Sequence, residues 1–158
     1  MPGSQLAMTI RPATRQDLPR IWELILELAD YEKLLHKVDG SLEQLERDFE
    51  TAFQSTVAVD GDAIIGYTLW FTNYSTFRTK PGIYLEDLYV SPSHRGNGIG
   101  KALLHDLFQR AEQKNYGRVE WSVLDWNQSA IDFYRSQGAE VLEDWRICRV
   151  TIDSKTKF

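Results

Sequence analysis

Ile83-Tyr84-Leu85-Glu86-Asp87-Leu88-Tyr89-Val90, Ser91-Pro92-Ser93-His94, Arg95-Gly96-Asn97-Gly98-Ile99-Gly100-Lys101 and the run from Ala102 to Ala111 read as a β-strand, a turn and a helix. Ile83, Leu85, Leu88 and Val90 give a mostly apolar strand, which Pro92 ends because proline cannot continue a central ladder. Leu103, Leu104, Leu107, Phe108 and Ala111 recur at helical spacing, so the glycine-rich turn opens a helix. The start of a helix carries unpaired N–H groups and the positive end of the macrodipole. Glycines let an anion approach them, and Arg95 adds a forked, charged donor. The stretch predicts a phosphate cradle.

Spacing separates three kinds of phosphate loop. A P-loop requires glycine and a Ser or Thr where this chain has Arg95 and Ala102. The dinucleotide fingerprint requires a third glycine where Lys101 stands, and it should follow the first strand of a βαβ unit. The remaining pattern, Arg-x-x-Gly-x-Gly after a strand, resembles the acyl-CoA pyrophosphate loop of the GNAT acetyltransferase superfamily. A plain strand-to-helix connector is the bland alternative.

Further along, Asn127-Gln128-Ser129-Ala130-Ile131-Asp132-Phe133-Tyr134, closed by Gly138, resembles the second GNAT motif. Asn127 is typed to cap a helix, to bond a pantetheine amide, or both. Tyr84 to Val90, the glycine turn and Trp126 to Tyr134 together resemble the diamine and spermidine/spermine acetyltransferase branch. Ile10 to Thr14, Leu28-Ala29, Tyr31-Glu32 and Trp145-Arg146 extend the likeness over nearly the whole chain.

The resemblance implies an α/β (α+β) acyl-CoA N-acyltransferase fold with a mixed, mostly antiparallel central sheet flanked by helices. It also implies acetyl-CoA as donor. Leu88, Tyr89 and Val90 would hold the acetyl and pantetheine arm, and Arg95, Gly96, Asn97, Gly98, Ile99, Gly100 and Lys101 the diphosphate. Asn127, Ser129 and Tyr134 would complete the cofactor site. A cationic amine would be bounded by Tyr31, Glu32, Glu86, Glu120, Trp121, Ser122 and an acid near Glu143 or Asp144. Ser136-Gln137 departs from the basic residues of the polyamine branch, which implies weaker contact with a distal CoA phosphate. A homodimer is expected, with the C-terminal segment as a candidate to cross between subunits.

The implied catalytic residues are Glu86 and Tyr134. A primary amine with a pKa of about 10.4 is protonated at neutral pH, and freeing its lone pair costs about 4 to 5 kcal/mol. Glu86 either relays that proton, directly or through water, or only pairs with the cation, which would oppose deprotonation. Tyr134 is protonated at neutral pH and able to donate to a departing thiolate. This chemistry requires no metal. The function so implied is acetyl transfer to a diamine, polyamine or thialysine-like amino acid by direct attack in a ternary complex. Protein N-terminal or lysine acetylation, and non-catalytic acetyl-CoA binding, are the alternatives.

The 158 residues, 42% hydrophobic and 26% charged, suit one globular domain over residues 8–158. Met1 to Ala7 read as a leader or disordered start without signal-peptide character, Met8 being an alternative initiator. No apolar run is long enough to span a bilayer, and a cytoplasmic protein is expected. A net charge of −5 argues against general nucleic-acid binding. Cys148 rules out an internal disulfide and reads as a small buried hydrophobe in a last strand.

The rest supplies the frame. Thr9 to Pro12 reads as an edge strand. Thr14 and Asp17 resemble a capping box ahead of a helix bearing Ile21, Leu24, Ile25 and Leu28, which Tyr31-Glu32 ends. Ser41 caps a second helix, and Asp60-Gly61-Asp62 joins two strands in a hairpin. Asn73 to Gly82 reads as a loop whose Tyr74 and Phe77 line a pocket or cover the core. Val119 to Leu124 and a final run through Trp145, Ile147, Val150 and Ile152 read as strands.

Overall fold

A computed structural model describes residues 8–157, so the reading of residues 1–7 lies outside the described part. The chain forms two compact units, one ending at Ser122 and the other beginning at Val123. In the first unit, strands β1 (Met8–Pro12), β2 (Gln54–Asp60), β3 (Ala63–Ser75), β4 (Lys80–Val90) and β5 (Val119–Glu120) lie side by side in chain order. The first four are antiparallel, and β5 joins β4 in parallel. Helices α1 (Leu18–Tyr31), α2 (Leu42–Asp48) and α3 (Ile99–Gln113) complete this unit.

Each sheet face receives its own helices. Tyr67, Leu69 and Tyr89 pack with Leu18, Ile21 and Leu24 of α1 and with Phe49 and Phe53 beyond α2. On the opposite face Ala58, Ile65, Leu88 and Val90 meet Ile99 and Leu103 of α3. Gly66 permits that approach, because a Cβ there would stand 2.9 Å from the Tyr89 carbonyl oxygen and 3.3 Å from Leu103 Cδ1.

The register of β3 on β4 contains one irregularity. Leu69 pairs with Asp87 and Trp70 with Leu85, so Glu86 is an extra residue, a β-bulge. Since side chains alternate along a strand, an extra residue inverts the alternation downstream. Ile83 and Leu85 before the bulge, and Leu88 and Val90 after it, therefore all point to the α3 face. Asp87 and Tyr89 turn to the α1 face. The three-residue step from Leu85 to Leu88 in the sequence is the mark of this bulge.

Several local expectations agree with the structure. Ser41 accepts the Gln44 N–H, and Gly61 makes the hairpin turn with φ of 60°. Asp17 accepts the Thr14 N–H at 2.7 Å and binds Arg11 through both oxygens at 2.7 and 3.1 Å. A 3-10 turn, Arg15–Asp17, absorbs the entry so that Pro19 falls in the first turn of α1, where proline is tolerated.

Other expectations are corrected. Asn73 to Gly82 is not a loop, because Asn73 pairs with Gly82, Tyr74 with Pro81 and Ser75 with Lys80. Proline is accommodated at the start of a strand. The turn shrinks to residues 76–79. Phe77 is 99% exposed and Tyr74 58%, so neither covers the core.

The second unit contains α4 (Gln128–Ser136), capped by Asn127 and stopped at Gly138 with φ of 92°. The strand expected over Val119 to Leu124 is only the two residues of β5. No strand forms through Trp145, Ile147, Val150 and Ile152, and these four side chains are 69 to 75% exposed. Alternation alone does not make a strand when the backbone has no ladder to join. Cys148 is exposed with them rather than buried.

The Arg11 guanidinium holds the Asp17 carboxyl below the usual carboxylate range against the opposing effect of burial. A lowered native pKa stabilises the fold above about pH 4 and loses that contribution as pH falls through the native value. Asp17→Asn should cost about 1 to 3 kcal/mol at pH 7 in urea unfolding, with the deficit shrinking toward pH 3. An equal deficit at both pH values would refute the ionic account.

Candidate active site

Beyond β4 the chain passes Ser91 and a 3-10 turn, Pro92–His94, into the glycine turn. Gly96 and Gly98 have φ of 85° and 76°, in the left-handed region that favours glycine, and Gly98 caps α3. No atom lies within 4 Å of where a Cβ would stand on either, and residues 95–98 and Lys101 are exposed. Ile99 is buried and Gly100 half-buried, anchoring the turn to the sheet. The head of this fifteen-residue helix opens to solvent with room for an anionic group.

Arg95 is tied into the frame behind the turn. Its Nε donates to the Val90 carbonyl at 3.0 Å, and its guanidinium carbon lies 5.0 Å from the Tyr31 ring centroid and 5.2 Å from that of Tyr89. These are cation–π distances. Tyr89 in turn donates its hydroxyl to Glu27 at 3.2 Å, while its backbone pairs with Tyr67. The arginine expected at the diphosphate thus shares Tyr31 with the expected amine wall. His94 lies 3.6 Å from Asp60 at the end of β2.

Acidic groups gather around the bulge. Glu86 is exposed, whereas Asp87 and Glu32 are half-buried. Burial, and secondarily the charge of Glu86, raises the Glu32 carboxyl above its usual range. Burial also raises Asp87 to about 6, with Glu86 and Glu32 adding to the rise and the hydrogen bond from Tyr67 opposing it. Tyr67, fully buried, donates its hydroxyl to Asp87 at 2.8 Å, and its own pKa is pushed well up, chiefly by burial.

At the far end of β4, Tyr84 stacks on Phe71 with centroids 5.3 Å apart and shares a hydrogen bond with Ser122 at 3.0 Å. Glu120 accepts from Asn73 at 3.4 Å and pairs with Arg118 at 3.7 Å, while Trp121 tilts against Phe108 of α3. The structure therefore brings Tyr31, Glu32, Glu86, Leu88, Tyr89, Val90 and Arg95 into one connected neighbourhood along β4 and the end of α1. Ser122 lies at its lower edge. Trp121 is directed toward α3, so it is set apart from Ser122.

In the second unit Asn127 Oδ1 accepts from the Ala130 N–H and the Ser129 hydroxyl, both at 3.3 Å. Tyr134, half-buried on α4, lies against Phe133 with centroids 5.5 Å apart. Asp144 is exposed outside any regular element, and Glu143 pairs with Arg135 at 3.5 Å.

The sequence reading missed Asp87 and Tyr67 as electrostatic members of the neighbourhood, and Tyr84 with Phe71 as its aromatic edge. An acid next to Glu86 in an apolar strand was the visible signal. Its depth and its partner were not visible, because both depend on register.

A bulged antiparallel strand thus feeds an open glycine turn at the head of a helix, a place suited to an anionic group. The pattern of the Acetyltransferase (GNAT) family matches residues 15–139, and the chain belongs to that family of N-acetyltransferases. It is 38% identical over 154 residues to thialysine N-epsilon-acetyltransferase of Bos taurus, covering 89% of this chain and 90% of that one. It is 40% identical over 119 residues to L-ornithine N5-acetyltransferase of Arabidopsis thaliana. That match covers 75% of this chain but only 50% of the plant enzyme, so the chain spans about half of its length. Among solved structures, an aminoglycoside acetyltransferase from an uncultured soil metagenomic sample shares the fold at a TM-score of 0.78 and 24% identity, covering 92% of this chain and 97% of that one. Among the described residues no helix is long and apolar enough to cross a membrane.

A raised carboxyl pKa favours the folded state at low pH, and its contribution is lost as pH rises through the native value. Asp87→Asn should therefore gain about 1 to 2 kcal/mol on the parent between pH 4 and pH 7 in paired denaturant titrations. A difference that stays constant over that interval would show that Asp87 does not titrate near 6.

Proposed function

We propose that the chain transfers acetyl from acetyl-CoA to the primary amine of a small cationic metabolite, a diamine, polyamine or thialysine-like amino acid, by direct attack in a ternary complex. The observation that carries this reading is the exposed Glu86 bulge, electrostatically coupled to Glu32 and continuous through Leu88 to Val90 with the open glycine turn. The relatives named for thialysine and ornithine support a short cationic acceptor.

The turn fits a diphosphate, because the spaces above Gly96 and Gly98 are clear and the helix head is exposed. In this reading the amides from Gly96 to Lys101 and the Arg95 guanidinium hold that group. The main chain of Leu88, Tyr89 and Val90 aligns the acyl arm, and Asn127 and Ser129 hold its pantetheine portion. When bound, acetyl-CoA supplies a thioester carbonyl for attack and a thiolate to leave.

Tyr31, Glu32, Glu86, Glu120, Ser122 and Asp144 bound the amine. Glu86 anchors the cation and passes the proton of the attacking amine to water. An amide near Leu88 donates to the carbonyl oxygen as charge develops there. Tyr134 protonates the departing sulfur. The chain acts as one transferase domain in this reading, in a cytoplasmic homodimer.

Thiol release should be recorded with acetyl-CoA and a panel of diamines, polyamines, lysine analogues and peptides. Turnover is expected with the short cationic amines. Turnover confined to peptides would reject that acceptor class, and CoA binding without turnover would reject catalysis for the whole panel. Tyr134→Phe should lower kcat by about 10²-fold with acetyl-CoA affinity changed less than about threefold. An unchanged kcat would remove the tyrosine from the proton transfer.

A further inference from the structure

The bulge at Glu86 is bracketed on one sheet face by two side-chain ties between β3 and β4. Before it, the cross-strand pair Phe71 and Tyr84 is stacked. After it, Tyr67 reaches diagonally from its own partner Tyr89 to Asp87, two residues back along β4, and donates its hydroxyl at 2.8 Å. Diagonal neighbours of this kind lie within reach of a long aromatic side chain.

Were Glu86 paired with Leu69 in a regular ladder, Asp87 would fall on the face where Ala58, Ile65, Ile99 and Leu103 make an apolar seat for α3. A carboxylate lodged there would lack a partner. On its actual face it receives the hydroxyl of a tyrosine that is 0% exposed and requires an acceptor.

We infer that Asp87 is a positioning residue: by accepting the Tyr67 hydroxyl it pins the β4 bulge, and so fixes the direction of the Glu86 carboxylate and of the Leu88 amide. The catalytic consequence rests on the acetyl-transfer reading above, whereas the pin itself does not. The Tyr67 bond also favours the ionised form of Asp87, opposing the effects of burial, Glu86 and Glu32. An ionised acceptor makes the stronger tie. Asn retains a carbonyl oxygen in the same place, so Asp87→Asn keeps an acceptor that Asp87→Ala removes.

Four variants separate a pin from general structural support: Tyr67→Phe, Asp87→Ala, Asp87→Asn and the double variant Tyr67→Phe with Asp87→Ala. Amide hydrogen exchange along β4 is read in each, together with kcat, KM and acetyl-CoA affinity. Tyr67→Phe and Asp87→Ala should each speed exchange at residues 86–88 by about tenfold or more, leaving residues 82–84 near the parent rate. Both should lower kcat by about tenfold or more with coenzyme affinity within about twofold, because misplacement of reacting groups acts on the chemical step. The double variant should be no worse than the worse single one, and Asp87→Asn should recover most of the loss.

Parent-like exchange in Tyr67→Phe, a uniform rise along β4, or equal damage from Asp87→Asn and Asp87→Ala would overturn the inference. If the parent acetylates no amine in the panel, the acetyl-transfer reading falls, and the exchange pattern still decides whether the pin exists.

Discussion

One backbone irregularity governs where chemistry is available in this molecule. A regular β4 would present a single alternation to two different surroundings, α1 on one side and α3 on the other. By inserting Glu86 between the partners of Leu69 and Trp70, the chain places Ile83, Leu85, Leu88 and Val90 all toward α3. The same step sends Asp87 and Tyr89 toward α1. The glycine turn follows that strand, so the helix head inherits a position set by the bulge. Arg95, holding the Val90 carbonyl and lying over Tyr31 and Tyr89, ties the turn to both elements.

The electrostatic character of the neighbourhood follows from the same placement. Desolvation raises Asp87 and Glu32, and their mutual proximity to Glu86 adds to it. Such an arrangement costs stability, since partly buried like charges repel and lose water. A cation placed beside these carboxyls would offset that cost. Arg95 places a cation against Tyr89, whose hydroxyl bonds Glu27.

The parts of the structure legible in the sequence were those written in local chemistry. The Asp60-Gly61-Asp62 turn, the Ser41 and Asn127 caps, the glycines at the head of α3 and the amphipathic faces of α1 and α3 all follow from residue type and spacing. What was hidden depends on pairing between distant segments. Asp87 looked like a neighbour of Glu86, but only the register with β3 reveals Tyr67 as its donor. The hairpin from Asn73 to Gly82 was obscured by Pro81 and by surface aromatics, which imitate a loop. Conversely, Trp145 to Ile152 carries the composition of a strand without a ladder in its own unit. Composition states a preference, and only a partner satisfies it.

Because Glu86 is the odd residue in its ladder, it has two separable properties, a carboxylate and a length. Replacing the side chain changes only the first. Deleting the position would remove the bulge and set Leu85 directly beside Asp87, in a regular ladder whose partners Trp70 and Leu69 are already adjacent. Tyr89 would keep its α1 face, and Leu88 and Val90 their α3 face, while the local kink would go. A substitution at Glu86 therefore probes its charge alone, whereas a deletion removes charge and kink together and spares the packing of the strand on both its faces.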